Sequence, residues 1–390
     1  MQYTMDNTEE LHTQIRNLIQ EPGIYSESAI NRLYMNALEK GEMLVIQDTR
    51  FIKMPPILVE FSWIKTIKIM NTGLIEIGNI PVNAENVFLQ RNKINIVGNI
   101  TNLDKIKRLS LKDNKLDTID FSLLPLSIEQ LDVSDNIIHT VVNSAHLHNM
   151  NTLVINNNKL TQIPQLNSSI LRLSFAKNKL ESLKGCSDNI MELDCSNCNL
   201  SNLEHLPEKQ LIKLIAYSNK FKCLTNMKHM HLKHLDVSYN GITSITDIPE
   251  TLEELDISHN DMTNITFEIP ATLTDFDTRG NNFTKETISK ITQQHKHIHS
   301  FMYDDNDDDD NFDSLDDMSI FSDIQSSQHS QQWRPQASEQ SQHHMRFLQF
   351  MQQHQQQARQ QDTTPQYMKQ ASDNPYHIVS KKTIKMSRRV

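Results

Sequence analysis

Four cysteines occur in 390 residues, and two of them, Cys195 and Cys198, stand three apart in "LDCSNCNL". Such a pair can supply half of a tetrahedral zinc site or cycle between dithiol and disulfide. A zinc site needs two further ligands, usually from a second pair, and no other Cys-x-x-Cys or nearby His pair follows. The run "DDNDDDDNF" has the carboxylate density of a calcium loop. Counted from Asp305, its sixth and twelfth positions are Asp310 and Asp316, where an EF-hand loop requires Gly and Glu, so it reads as a solvated acidic spacer. No Gly-rich phosphate loop, nucleophile elbow or His-Glu-x-x-His helix is present. Carboxylates such as Asp236 and Asp256 recur at a fixed interval, which points to architecture and not to a tuned acid–base couple. The residues therefore predict no enzyme, no cofactor and no metal.

What positions these residues is a repeat. "IKRLSLKDNKL" (106–116), "IEQLDVSDNII" (128–138), "LKHLDVSYNGI" (232–242) and "LEELDISHNDM" (252–262) share apolar residues at offsets 0, 3, 5 and 10 and Asn at offset 8. That position is filled by Asn92, Asn114, Asn136, Asn158, Asn178, Cys198, Asn219, Asn240, Asn260 and Asn281, at intervals of 20 to 22 residues. This is the leucine-rich-repeat pattern. Thr72 and Thr49 mark two degenerate opening repeats, giving about twelve coils. Each supplies one short parallel strand whose leucines point inward, and stacking buries a continuous core. The Asn amide, both donor and acceptor, is suited to a structural ladder serving buried turn groups of its own and the adjacent coil. In this register Cys195 takes an inward strand position and Cys198 the Asn position, so both thiols read as structural.

The fold class expected is an α/β repeat solenoid: a leucine-rich-repeat horseshoe with a concave parallel sheet, an N-terminal helical cap and a disordered C-terminal tail. Only about ten residues return from each Asn to the next strand, often through a proline (Pro81, Pro125, Pro164, Pro207, Pro249, Pro270), so the returns themselves should be extended or 3₁₀. Residues 1–41 form the cap, with helical spacing over 8–20 and 26–40. The array covers 42–300. Residues 301–390 form the tail: ten Asp between Asp304 and Asp323, sixteen Gln between 325 and 366, and five basic residues in "KKTIKMSRRV".

A net charge of −10 argues against a nucleic-acid binder. Neither a secretory leader nor an apolar span is evident, which predicts an intracellular, cytoplasmic protein with reduced thiols and no membrane contact. The basic C-terminus is a weak nuclear address.

The repeat length, the helical N-terminus and returns such as "IPETLEELDISHN" resemble the leucine-rich-repeat effectors that bacteria inject into host cells. The Asn-, Ile- and Lys-rich composition with an Asp/Gln-rich tail is similar to leucine-rich-repeat proteins of amoebal giant DNA viruses. Some of the bacterial effectors carry a ubiquitin-ligase domain with a nucleophilic cysteine after the repeats. This chain has no cysteine after Cys223, so that activity is not carried over.

The expected function is a non-catalytic scaffold, monomeric in its repeat domain, that grips a protein partner on the concave face. Outward positions make the first repeats basic, through Phe88-flanking Lys107, Arg108 and Lys112 among others, and the last ones acidic. Ile215, Tyr217 and Tyr239 lie between and form the expected contact, and Phe88, Lys107, Arg108 and Lys112 of the first repeats are counted with them as expected partner-binding residues. The alternative is a packaged, virion-type component assembling through the Gln-rich tail.

Overall fold

A computed structural model describes residues 41–47, 52–54 and 56–304. Each coil contributes a short extended segment such as Gln130–Asp132 or Glu254–Asp256, whose central leucine is buried and whose neighbours stay partly exposed. Thirteen such strands, from Met43–Gln47 to Ser300–Met302, form one parallel sheet, each pairing with the strand of the adjacent coil. The pairing is in register, so Leu109, Leu131, Leu153, Leu173 and Leu193 stand opposite one another. A second buried line runs through Leu111, Val133, Ile155, Phe175 and Cys195, and a third through Leu116, Ile138, Leu160 and Leu180. Burying each such side chain contributes about 1.5–3 kcal/mol. One coil alone could not exclude water from either side of its leucines, so the contribution depends on stacking.

Three-residue strands leave the following turn without partners, and the asparagines supply them. Asn136 Nδ2 donates to the carbonyls of Val133 and Ser134 in its own coil and of Leu111 in the preceding one, each at 3.0 Å. Its Oδ1 accepts from Leu116 N–H, also in the preceding coil, at 3.0 Å. Asn92, Asn114, Asn158, Asn178, Asn219, Asn240, Asn260 and Asn281 repeat the arrangement. Thr72 is buried at the same position and donates its hydroxyl to Asn92 Oδ1. Thr49 lies outside the described residues. The residue before each ladder position has left-handed backbone. From Arg91 and Asp113 through Asp135 and Asn157 to Tyr239 and His259, φ falls between 50° and 56°. This turns the N–H outward to the next coil, as from Asp135 to the Asn156 carbonyl at 2.9 Å.

The α/β class expected from the repeat is overturned. Among the described residues the array is a parallel β-solenoid, and its single α-helix, Lys285–Gln294, lies at the end of the array. The returns are turns and extended segments, with 3₁₀ turns at Pro56–Glu60 and Phe121–Leu123 and two small parallel pairs, Thr118–Asp120 with Thr140–Val142 and Cys223–Leu224 with Ser244–Ile245. Length is the physical reason. Ten residues cover about 15 Å as a helix and about 33 Å extended, and only the second crosses the coil and leaves room for the turns. Pro81, Pro125, Pro249 and Pro270 each accept at their carbonyl from the N–H three residues on, opening the turn into the next strand. The helical cap therefore forms no part of the described fold: apart from Gly41 it lies outside the described residues, as does the tail beyond Asp304.

The ladder makes opposite predictions at two positions. Asn158→Leu strands the carbonyls of Val133, Ile155 and Asn156 and the Ile138 N–H, and should cost about 1–3 kcal/mol for each group left unsatisfied. At Cys198 the thiol donates to the Phe175 and Ser196 carbonyls, yet no amide oxygen is there to accept the Leu180 N–H. Cys198→Asn should restore it and stabilise by about 0.5–1.5 kcal/mol. Urea unfolding of both variants beside the parent checks the pair.

Candidate interaction face

The side chains between the inward leucines form one column across the sheet. By register it runs Lys68, Phe88, Ser110, Asp132, Val154, Ser174, Asp194, Ile215, Asp236, Asp256 and Asp277. At the basic end Lys68 Nζ lies 5.6 Å over the half-buried Phe88 ring, and Lys65 pairs with Glu42 at 2.6 Å. Lys107 and Arg108 are exposed, and Lys112 reaches Asp135 at 3.3 Å. Such exposed pairs contribute at most about 1 kcal/mol each.

At the other end the aspartates have a structural task. Asp132, Asp194 and Asp236 each accept from the backbone N–H and the hydroxyl of the Ser two residues on, and Asp256 accepts from the Ser258 N–H. Each Asx-type turn leads the chain into the left-handed residue before the ladder Asn. Asp277 is gripped by Arg279, with Nε at 3.0 Å from Oδ1 and Nη2 at 2.6 Å from Oδ2. Burial, and then the neighbouring Asp256, push Asp236 up to about 6, while burial pushes Asp256 upward as well. His234 Nδ1 lies 2.8 Å from Glu254 Oε2 but off line for a hydrogen bond, so that contact is electrostatic when the imidazole is protonated.

Of the expected contact residues, Ile215 and Tyr217 sit on one coil and are half-buried, whereas Tyr239 is 56% exposed on the next. Tyr239 stacks on His259 with ring centroids 4.1 Å apart and planes 19° from parallel. Both hold left-handed backbone, φ 51° and 53°, where earlier coils mostly carry Asn or Asp. Gly280 follows in the same column, and a Cβ there would stand 2.5 Å from His259 Nδ1. Sequence reasoning singled out neither His259 nor Gly280. The available signal was their position, immediately before the ladder Asn. Phe88, Lys107, Arg108 and Lys112 are several coils away from this aromatic pair.

The thiols show no sign of activation. Cys195 and Cys198 are buried and all four cysteines are free. Burial holds Cys195 far above the usual thiol range, pushes Cys198 up to about 11 and Cys186 up to about 12. Among the described residues no group of three His, Cys, Asp or Glu could hold a metal ion, and no helix is long and apolar enough to cross a membrane.

Two outcomes are expected. A thiol reagent added to native protein at neutral pH should modify the exposed Cys223 first, with Cys195 and Cys198 reacting only on unfolding, as peptide mapping would show. Asp236 binds its proton more tightly in the fold than in the unfolded chain, so its favourable contribution is greatest near pH 4 and is lost as pH rises toward 6. Asp236→Asn keeps an oxygen for Ser238 and removes the buried charge. It should stabilise by about 1–3 kcal/mol at pH 7 and by almost nothing near pH 4, measured by urea unfolding across that range.

No protein-family model matches this chain, and no curated protein does. Solved structures do. A leucine-rich effector, YopM of Yersinia pestis, superposes with a TM-score of 0.53 at 18% identity, over 77% of this chain and 100% of that one. YopM of Yersinia enterocolitica gives 0.50 at 18%, over 72% of this chain and 65% of that one. A chain of the Toll–Spätzle complex of Drosophila gives 0.53 at 19%, over 67% and 42%. At such identity the likeness is one of fold: this chain has the architecture of a leucine-rich-repeat solenoid.

Proposed function

We propose that the chain is a non-catalytic scaffold that binds a partner protein on the solvent-facing side of its long sheet, the side expected to be concave. The observation that carries this reading is Tyr239. The left-handed backbone there is common to the coils, filled also by Arg91 and Lys177, so what sets this position apart is the side chain itself. Here the ring is exposed and held flat on His259. A rigid, amphipathic aromatic presented to solvent is the usual centre of a protein interface, and Ile215 and Tyr217 extend it onto the preceding coil. The fold shared with YopM and with a chain of the Toll–Spätzle complex fits such a role. Free cysteines fit an intracellular setting. Assembly as a packaged component through the Gln-rich segment, and the giant-virus likeness, have composition alone behind them.

A photo-crosslinking amino acid at Lys213, beside Ile215 on the sheet, and another at Val82, exposed on a return, separate the faces. In cells making the chain, the first should trap a protein and the second should not, and Tyr217→Ala with Tyr239→Ala should weaken trapping by more than about tenfold. Trapping at Val82 alone, or at neither position, overturns the reading.

A further inference from the structure

Charge on the solvent-facing side of the sheet is handled differently at its two ends. Toward the first coils three of the cations are answered within the chain, Lys65 by Glu42, Lys112 by Asp135 and Lys68 by the Phe88 ring, while among the described residues no ion pair is recorded for Lys107 or Arg108. Toward the last coils Glu253 faces Lys233 and Glu254 faces His234, but the aspartate column between the inward leucines is answered by an ion pair only at its end. Asp236, Asp256 and Asp277 stand opposite one another on adjacent strands, which at a spacing of about 4.8 Å sets three carboxylates in a row. Arg279 answers Asp277. Among the described residues no ion pair is recorded for Asp194, Asp236 or Asp256, whose oxygens accept from neutral serine groups; Arg279 acts on Asp256 only from a distance, and Asp236 lies one coil further from it. Burial and mutual repulsion disfavour the charge that Asp236 carries at neutral pH, so a cation brought alongside is the missing counterpart.

Three residues after Asp236 and Asp256 come Tyr239 and His259, so the aromatic pair borders the carboxylate row on the same two coils. Its arrangement is built in tiers: Tyr239 on His259, and His259 over Gly280, where a Cβ would collide with the ring. A flat π-surface beside unpaired carboxylates matches one side-chain chemistry above others. A guanidinium is planar, stacks on aromatic faces and binds carboxylates through two parallel N–H donors, while an ammonium offers only its charge.

We infer that the acidic half of the sheet takes a basic, arginine-bearing segment of the partner protein, with a guanidinium stacked on Tyr239 and held by the Asp236 and Asp256 carboxylates. The inference rests on the sheet being a protein-binding face and adds the chemistry of what it binds. An anionic partner would meet the carboxylate row as repulsion.

The probe is a labelled Gly-Arg repeat heptapeptide, with its Gly-Lys counterpart, titrated by fluorescence anisotropy into the full chain. Because the run around Asp307–Asp310 attracts any cation, a chain with those four residues changed to Asn serves as the background. In that background the arginine peptide should bind at least about threefold more tightly than the lysine peptide. Tyr239→Ala should weaken it about fivefold, Tyr239→Phe should leave it within about twofold, and Asp236→Asn with Asp256→Asn should weaken it about fivefold or more, with all variants unfolding at or above the parent's urea midpoint or within a small shift of it. Equal affinity for the two peptides, or unchanged binding by the Tyr239→Ala and double Asn variants, overturns the inference. Since crosslinking from Lys213 reports any partner of the sheet, success there beside failure here refutes the arginine chemistry alone.

Discussion

Everything in this array hangs on a buried side-chain amide that joins two coils. Strands of three residues pair their own backbone and little more, and the sharp turn that follows would leave carbonyls and N–H groups without partners in an apolar interior. One Asn per coil closes that deficit from both ends, donating to three carbonyls and accepting from an N–H across the coil boundary. The leucine ladders supply the driving force, but they are non-directional. The amide fixes each coil's height and phase relative to its neighbour, which is why side chains at equal offsets stand opposite one another for the length of the sheet.

That regularity decides which exposed residues are architecture and which stand apart from it. The aspartates of the acidic half cap the turn that the ladder requires, so their recurrence follows from folding. The lack of an ion pair at Asp194 and Asp236 among the described residues does not. Likewise the left-handed residue before each Asn is compulsory, and Asn or Asp fills it at little cost. Arg91, Lys177 and Tyr239 fill it without that local advantage, and of these Tyr239 faces solvent as half of a stacked pair with His259. The residues that carry the functional reading are thus those that obey the geometry of the repeat while departing from its chemistry.

The period, the ladder and the inward positions of both cysteines were legible in the sequence because each recurs at a fixed offset and follows from elementary needs: apolar burial and amide satisfaction. The class was not. The repeat consensus is shared by solenoids with helical and with extended returns, and the ten-residue return with its prolines, which already points to extended returns, is outweighed by the helical spacing at the N-terminus. Tyr239 was legible as an aromatic between two charged zones, but its backbone conformation and its partner His259 were not. Both sit at the turn beyond the strand, where side-chain alternation no longer says which way a residue points. Ile215 and Tyr217, read as exposed, prove half-buried because flanking coils rise on both sides of them.

Cys198 breaks the ladder once, between the coils of Ser174 and Asp194. A stack in which every unit touches only its neighbours behaves as a one-dimensional chain of coupled elements, and its cooperativity is set by the weakest coupling. The boundary that lacks an amide oxygen falls just before the coil whose Asp194 opens the acidic half of the sheet. There the strand pairing and the leucine lines continue unbroken, so the stack is held across that boundary by backbone and apolar contact with less help from a side-chain amide than anywhere along the Asn-bearing coils.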